Sequence, residues 1–157
     1  MSTANRGRRK LLLIACSNRK IRTRGLLPAI ERYDGVTYRV IRKAMREGYF
    51  PSNVDIKILS AEFGLIDADT PIPYYDRQMD KRRAQELRSR VQGELKQLTN
   101  QTQYAEIFIN MGKTYLSVTD NLGAIVGQNT VVKHAEGGIG SKSRSTKLWL
   151  LVADKTP

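Results

Sequence analysis

The stretch KLLLIAC, residues 10–16, followed directly by SNRK, residues 17–20, decides the fold class of this chain. A continuous, mainly apolar run that ends in polar residues is typical of a strand buried on both faces. Such strands occur in parallel sheets, whose helical crossovers cover both faces. The stretch therefore predicts an α/β domain in which residues 17–25 form a basic loop at one edge of the sheet.

Outward from this run, strand and helix patterns alternate. Alternating apolar residues predict a second strand at 54–60, and two further strands are predicted at 105–111 and 130–133. Apolar residues at three- and four-residue steps predict the main helices, at 36–48, 81–98 and 113–126. The clearest of them is 81–98, for which Asp80 is the expected N-cap.

The remaining segments are expected to be loops or short helices. Residues 61–80 are rich in glycine, proline and aspartate, and residues 136–145 in glycine, serine and basic residues, so both are predicted to be irregular. A short helix is predicted at 146–153. The order of elements predicts a three-layer α/β fold: a mostly parallel four-stranded sheet with helices on both faces.

Charge separates this chain from an average globular protein. Lys and Arg number 27 against 15 acidic residues, which gives a formal net charge of +12. An excess of this size favours phosphate-rich partners, although a merely solubilising surface is the alternative. Residues 1–8 are predicted to be a flexible basic arm, and residues 9–157 a single α/β domain.

Cysteine and histidine counts exclude several classes of site. Cys16 is the only cysteine and His134 the only histidine, so an intramolecular disulfide, a cysteine-rich zinc site and a two-histidine metal motif are excluded. A single cysteine fits a reducing cytoplasm, and no apolar run is long enough to span a membrane. No metal or organic cofactor is implied, and the oligomeric state is left open.

Polar and glycine residues concentrate where the predicted strands end. In a parallel sheet these four loops emerge at one edge, which is where α/β proteins bind ligands. Glycine amides and lysines in such loops suit phosphate groups. The candidate ligand-binding residues are Cys16, Ser17, Asn18, Ser60, Gly64, Tyr75, Gly112, Lys113, Tyr115, Gly138 and Ser141.

Catalysis, if present, has few candidates. Asp76 and Glu62 are the carboxylates able to act as general base, and Lys20 is the candidate electrostatic stabiliser. Cys16 could be a nucleophile, but the sequence places no general base near it, since the only histidine is far away. The preferred interpretation is that Cys16 is a small apolar side chain in the core. Glu62 could equally be an exposed turn residue, and Tyr75 could pack its loop onto the core instead of stacking on a base.

A basic helix face provides a second possible binding surface. Arg39, Arg42, Lys43 and Arg46 follow one another at i, i+3, i+4 and i+7, which places them on one stripe of the predicted helix. Lys142 and Arg144 add positive charge in the glycine-rich loop. These six residues are the candidate nucleic-acid-binding residues, although a charged helix face is often only solvated.

Several segments together resemble a known family. The stretches ACSNRK (15–20), LPA (27–29), RY (32–33), ILSAEFGLI (58–66), PYYD (73–76) and GKTY (112–115) resemble a small bacterial and phage family of unknown function. More distantly they are similar to the archaeosine synthase core domain and to peroxide-stress proteins of the YaaA type. The resemblance implies a uracil-DNA-glycosylase-like α/β fold and a link to DNA or modified bases.

The sequence thus predicts a protein that binds a nucleic acid or nucleotide and recognises or processes a nucleobase; glycosidase or transferase chemistry is the form that catalysis would take. The alternatives are a non-catalytic nucleic-acid-binding module that uses the basic helix face, and an adaptor for an acidic protein. A deep pocket containing a carboxylate would favour catalysis, whereas loops filled by their own side chains would favour the binding module.

Overall fold

The computed structural model describes residues 9–155, so the predicted basic arm, residues 1–8, lies outside the described residues. The strands within this range are β1 (Arg9–Ala15), β2 (Leu27–Pro28), β3 (Val54–Ser60), β4 (Gly64–Asp67), β5 (Pro71–Ile72), β6 (Tyr104–Asn110) and β7 (Val131–His134). The helices are α1 (Ala29–Arg32), α2 (Val36–Arg46), α3 (Lys81–Gln101), α4 (Lys113–Leu116), α5 (Leu122–Val126) and α6 (Ile139–Val152).

The main sheet has the strand order β4-β3-β1-β6-β7. β1 pairs in parallel with both β3 and β6, and β6 pairs in parallel with β7. The α/β class and the four predicted parallel strands are confirmed. The carboxyl ends of these strands therefore meet at one edge of the sheet, as the interpretation of the polar loops requires.

A fifth strand makes the sheet mixed, so the four-stranded prediction is wrong in this respect. β4 pairs antiparallel with β3, with Ser60 opposite Gly64 across a tight turn. Gly64 has φ +76°, a left-handed conformation that glycine adopts without steric cost. The composition of residues 61–80 predicts irregular structure, whereas Gly64 makes the turn that returns the chain to the sheet.

A two-stranded antiparallel sheet lies beside the main sheet. β2 and β5 pair Leu27 with Ile72 and Pro28 with Pro71. Proline is tolerated here because a two-residue edge pairing needs few backbone donors. This pairing joins the loop after β1 to the segment that precedes Tyr74 and Tyr75, and it was also missed in the predicted irregular region.

Side chains of β1 alternate between two cores. Leu12 and Ile14 pack in the cluster that contains the buried residues of α1, α2 and α6. Leu11 and Leu13 pack in the cluster that contains those of α3 and α5. Helices thus cover both faces of the sheet, as the continuous apolar run predicts.

The helices match their predictions to different degrees. α3 forms as expected, and the Asp80 carboxylate accepts a hydrogen bond of 2.7 Å from the backbone N–H of Arg83. The single helix predicted at 113–126 is wrong, because the chain folds as α4 and α5 with buried Val118 and Thr119 between them. No helix of the described residues is long and apolar enough to cross a membrane.

The loop predicted at 136–145 is also wrong, since α6 already begins at Ile139. Two of its hydroxyl side chains are not solvated. Ser143 and Thr146 are buried, and their hydroxyls bond the preceding turn through the carbonyls of Ile139 and Lys142. Packing against the sheet thus outweighs the weak helix propensity of this glycine- and serine-rich stretch.

Candidate ligand-binding cleft

A cleft of about 500 Å³ lies at the carboxyl edge of the sheet. It is bounded by the loop after β1, the first turn of α2, the end of β6 and the start of α6. Its lining residues are Ile14, Ala15, Cys16, Ser17, Asn18, Arg19, Asp34, Gly35, Val36, Thr37, Tyr38, Arg39, Asn110, Met111, Gly112, Tyr115, Ile139 and Lys142. Segments from distant parts of the chain therefore meet in one cavity.

The loop after β1 is fixed to the start of α2. The Gly35 N–H donates a 3.2 Å hydrogen bond to the Ser17 hydroxyl. A Cβ on residue 35 would lie only 2.9 Å from the Ser17 Cβ, so the close approach requires glycine. On the other side, the Tyr38 hydroxyl donates to the Ala15 carbonyl at 2.8 Å.

A buried polar network forms the back wall. The Asn110 amide donates to the hydroxyls of Thr37 at 3.1 Å and Thr146 at 2.9 Å. The Thr37 and Ser143 hydroxyls are 2.9 Å apart. This network connects β6, α2 and α6, and sequence reasoning missed it, although an asparagine that ends the apolar strand YAEIFIN was a visible signal.

Asp34 is the one carboxylate among the described residues that line the cleft, and arginines surround it. Its oxygens lie 3.1 Å from Arg39 and 3.4 Å from Arg19, and Arg42 forms a third ion pair with it. The hydrogen bond from Arg39, with a further one from Arg42, lowers the pKa of Asp34 to about 2. Asp34 is therefore ionised and neutralised by its own neighbours, and it is not available as a general base.

The start of α6 contributes a lysine to the cleft. The Lys142 ammonium donates a 2.9 Å hydrogen bond to the Met111 carbonyl, which positions it across the cleft from the β1 loop. An ammonium has three donors, so this bond leaves further capacity for a ligand.

Both long helices that border the cleft begin at glycine. Gly35 is the N-cap of α2 and Gly138 that of α6, and neither helix start has a side-chain cap hydrogen bond. First-turn backbone N–H groups have no acceptor within their helix. The positive end of a helix dipole favours an anion at such a position.

Cys16 lies where the cleft adjoins a tyrosine cluster. Its Sγ is 3.1 Å from the Tyr115 hydroxyl, and the thiol is partly buried. Burial raises the pKa of Tyr115 well above that of a free phenol. Tyr115 is thus a neutral hydroxyl that can donate or accept a hydrogen bond beside the thiol.

The neighbouring region after β3 is filled by its own side chains. The hydroxyls of Tyr33, Ser60 and Tyr75 form a closed triangle with edges of 3.2, 3.0 and 2.6 Å. Ser60 also accepts hydrogen bonds from the backbone N–H groups of Glu62 and Phe63. Burial raises the pKa of Tyr33 to about 12, so the triangle stays protonated at neutral pH.

The three candidate catalytic residues lie outside the cleft lining. Lys20 places its ammonium 4.5 Å from the centre of the Tyr75 ring, and burial lowers the pKa of this lysine. Glu62 lies 3.6 Å from Arg77, and Asp76 is exposed. Besides the burial of Lys20, the charge of Asp76 acts on the pKa of this lysine in the opposite direction, so the structure places these two residues near each other but outside the cleft.

The other predicted site residues divide between the cleft and its surroundings. Those that line it are Cys16, Ser17, Asn18, Gly112, Tyr115, Arg39 and Lys142. Those that do not are Ser60, Gly64, Tyr75, Lys113, Gly138, Ser141, Arg42, Lys43, Arg46 and Arg144. Gly138 and Ser141 belong to the start of α6, so the glycine loop expected to form an anion nest is a helix N-terminus.

The basic stripe of α2 is less available than its sequence indicates. Arg42 is mostly buried and donates to the carbonyls of Ile30 at 2.9 Å and Tyr33 at 2.7 Å, besides its pair with Asp34. Lys43 lies 3.9 Å from Glu47. The role of Asp34 could not be seen from helix periodicity, because this residue precedes the helix.

Comparisons with known proteins give a family and a fold. The model of a family of unknown function, DUF6884, matches residues 11–147. No curated protein matches the chain. A solved structure described as "Crystal structure of AF0587, a protein of unknown function" is similar over 90% of this chain, with 17% identity and a TM-score of 0.51. The chain spans 44% of that structure's chain, and at this identity the likeness concerns the fold alone.

Proposed function

Since the chain belongs to DUF6884, a family of unknown function, we propose from its own geometry that the cleft binds a nucleotide. The observation that carries this proposal is the placement of Arg19, Arg39 and Lys142, with two glycine-capped helix starts, around one cavity. The one acid in its described lining is already paired with arginines. Such a cavity favours an anion.

The size and the lining of the cleft favour a ligand larger than inorganic phosphate. About 500 Å³ lies within the usual range for small-molecule sites, roughly 300–1,000 Å³. Val36 and Ile139 offer exposed apolar surface, and Asn18 offers an amide with both donor and acceptor atoms. An apolar wall with an amide suits a flat heterocycle, and the basic groups suit its phosphate.

The resemblance of the segments around Cys16 and Ser60 to the archaeosine synthase core and to YaaA-type proteins supports a nucleobase as part of the ligand. A uracil-DNA-glycosylase-like fold belongs to the same proposal. The absence of a free carboxylate from the described lining supports binding as the primary function. Asp76 and Glu62 could take part in catalysis only if the ligand extended beyond the cleft.

A titration calorimetry experiment tests the proposal with three probes: nucleoside monophosphates, the matching nucleosides and inorganic phosphate. We expect at least one monophosphate to bind more tightly than either of its parts. Lys142→Gln should weaken binding of the monophosphate and of phosphate by at least about tenfold, because a charge-assisted hydrogen bond contributes about 1.5–3 kcal/mol. Lys147→Gln, an exposed change on the same helix, is the matched control and should have no effect.

Cys16 provides an independent readout of location. It is the only cysteine and it lines the cleft, so bound nucleotide should slow its alkylation by iodoacetamide, measured by intact mass. Nucleotide binding that leaves the alkylation rate unchanged would place the ligand elsewhere. Equal affinity for nucleotide and phosphate would reduce the proposal to a simple anion site.

The non-catalytic module that uses the α2 face has weaker support. Arg42 is bound to two backbone carbonyls and to Asp34, and Arg39 lines the cleft, which leaves Lys43 and Arg46 as the charges that belong to this face alone. Two charges on one helix would give a shallow salt dependence of binding.

A further inference from the structure

We propose that a second surface next to the cleft binds the strand of a single-stranded nucleic acid, of which one nucleotide occupies the cleft. This surface, the arginine loop face, is defined by Arg22, Arg24, Leu26 and Tyr74. The inference rests on the proposed function and extends it from a mononucleotide to a polynucleotide.

The face combines an exposed aromatic ring with arginine. Tyr74 is 39% exposed, and the Arg22 guanidinium lies 5.5 Å from the centre of its ring. Leu26 is exposed beside them, and the same residues line a groove of about 410 Å³. An exposed tyrosine flanked by arginines is the combination that single-strand-binding proteins use to stack bases and pair phosphates.

Tyr74 and Tyr75 differ in exposure and in their contacts. The Tyr75 hydroxyl is fixed by Tyr33 and Ser60, and its ring is partly covered by Lys20. Pro73 and the β2–β5 pairing hold the segment extended, so successive side chains point to opposite sides. The aromatic ring available to a base is therefore that of Tyr74, not that of the predicted Tyr75.

A buried arginine holds the loop that carries this face. Arg32 is fully buried and donates to the carbonyls of Ile21 at 2.7 Å, Thr23 at 3.0 Å and Gly25 at 2.6 Å. It also reaches the Ile72 carbonyl of β5 at 3.4 Å. The loop is thus fixed before any ligand arrives, which reduces the entropy lost on binding.

The charge of the face is unbalanced. Within residues 9–155, no carboxylate lies within ion-pair distance of Arg22, Arg24 or the buried Arg32. The acids closest to them in sequence are Glu31, which is exposed, and Asp34, whose ion pairs are with Arg19, Arg39 and Arg42. Like charges in one short loop repel, and a phosphate chain relieves that repulsion.

The face lies close to the cleft along the chain, although the two share no lining residue. Arg19 lines the cleft, and Arg22 follows it three residues later, so their Cα atoms are at most about 11 Å apart. A strand that places one nucleotide in the cleft can therefore place its neighbours on the arginine loop face. A duplex has stacked bases and offers no free base to Tyr74, so a single strand is the better fit.

Fluorescence anisotropy with a fluorescein-labelled, mixed-sequence DNA octamer, repeated with the RNA octamer, tests the inference. We expect at least one octamer to bind at least tenfold more tightly than the mononucleotides. Tyr74→Ala should weaken octamer binding by fivefold or more, since stacking contributes at least about 1 kcal/mol per base, while mononucleotide affinity is unchanged. Tyr74→Phe keeps the ring and should bind like the wild type.

The arginines are tested by salt dependence. For the double variant Arg22→Gln/Arg24→Gln, the slope of log affinity against log salt should become shallower by about 1.4, at about 0.7 per phosphate contact on a single strand. The pair Lys96→Gln/Lys147→Gln removes the same charge from exposed sites elsewhere and should leave the slope unchanged.

Separate outcomes decide the two proposals. An octamer no tighter than a mononucleotide, a Tyr74→Ala variant with unchanged octamer affinity, or displacement by an octaglutamate peptide as effective as by unlabelled octamer would each overturn the arginine loop face. Octamer binding that depends on Tyr74 without any mononucleotide binding would retain this face and reject the cleft as a nucleotide site.

Discussion

Asp34 sets the charge at the mouth of the cleft. Three arginines from two segments converge on this carboxylate: Arg19 from the loop after β1, and Arg39 and Arg42 from α2. It therefore ties the loop to the helix and leaves the cleft with a net positive lining. The influence of Asp34 on the charge of the cleft comes from its position between these arginines, and a count of acidic and basic residues does not reveal it.

The depressed pKa of Asp34 makes its contribution to stability depend on pH. Its pKa is about 2 in the folded protein against an ordinary value of 3.8, because Arg39 and Arg42 favour the ionised form. The stabilisation is complete above about pH 4, where the unfolded chain is also ionised, and is lost as the pH falls towards about 2. In urea denaturation, the wild type should be more stable than Asp34→Asn at pH 7, and this difference should shrink between pH 4 and pH 2. A pH-independent difference would show that the carboxylate charge is not responsible.

The sequence predicted many of the residues of the cleft and few of their interactions. Cys16, Ser17 and Asn18 follow a buried strand, and Gly112 and Tyr115 follow another, so topology alone brought them together. Asn110 and Thr37 were missed, because their role depends on which residues of distant helices face each other. The sequence favours Tyr75 as a ligand contact, but only packing shows that its ring is partly buried and its hydroxyl is hydrogen-bonded, whereas the ring of Tyr74 is exposed.

At the scale of elements, the basic residues of α2 are of two kinds: some hold the fold together and others are exposed to solvent. Arg42 faces inward to the carbonyls of Ile30 and Tyr33, whereas Arg46 is exposed one turn later. Reversal of the whole stripe to glutamate would therefore disturb the fold together with any binding surface. The four basic residues of this helix therefore do not form a single surface for binding the phosphates of a nucleic acid.

Single substitutions separate the two roles. Arg42→Gln should lower the free energy of unfolding by about 1–3 kcal/mol, because two backbone carbonyls and Asp34 lose a charged donor. Arg46→Gln, an exposed change on the same helix, should remain within about 0.5 kcal/mol of the wild type. Chemical denaturation measures both, and equal stability of the two variants would contradict the anchoring role of Arg42.

Elements with strong periodicity were predictable, and those made by tertiary contacts were not. β1, β3, β6 and α3 follow their apolar patterns closely. The sequence predicts loops at β4 and at the first half of α6, because glycine, aspartate and serine are weak formers of regular structure in isolation, whereas the second half of α6 falls within the helix predicted at 146–153. β4 is stabilised by pairing with β3, and α6 by burial of Trp149 and Leu150, neither of which is local in sequence.

At the scale of the whole molecule, alternation of strands and helices predicted the essential geometry. Four parallel strands place their carboxyl ends at one edge, and the cleft lies there. The net charge of +12 was equally visible, but its distribution was not. Ion pairs neutralise part of it on α2 and α3 and around Asp34, whereas Lys142 in the cleft and Arg22 and Arg24 on the arginine loop face have no ion pair with a described carboxylate.

Anion choice distinguishes a general positive field from a specific site. Sodium chloride and sodium phosphate at equal ionic strength screen the net charge of +12 equally, so any general effect on stability should be the same for both. Phosphate that also occupies the cleft stabilises the folded state by an additional amount that grows with its concentration over Kd. Below about 0.1 M, where the salting-out effect of phosphate on apolar surface is small, we expect the thermal midpoint to be several degrees higher in phosphate.

The double variant Arg19→Gln/Lys142→Gln should lose this difference, while Lys96→Gln/Lys147→Gln, with the same charge removed, should keep it. Equal midpoints of the wild type in the two salts would mean that the positive charge acts only through its overall field and that the cleft has no preference for phosphate.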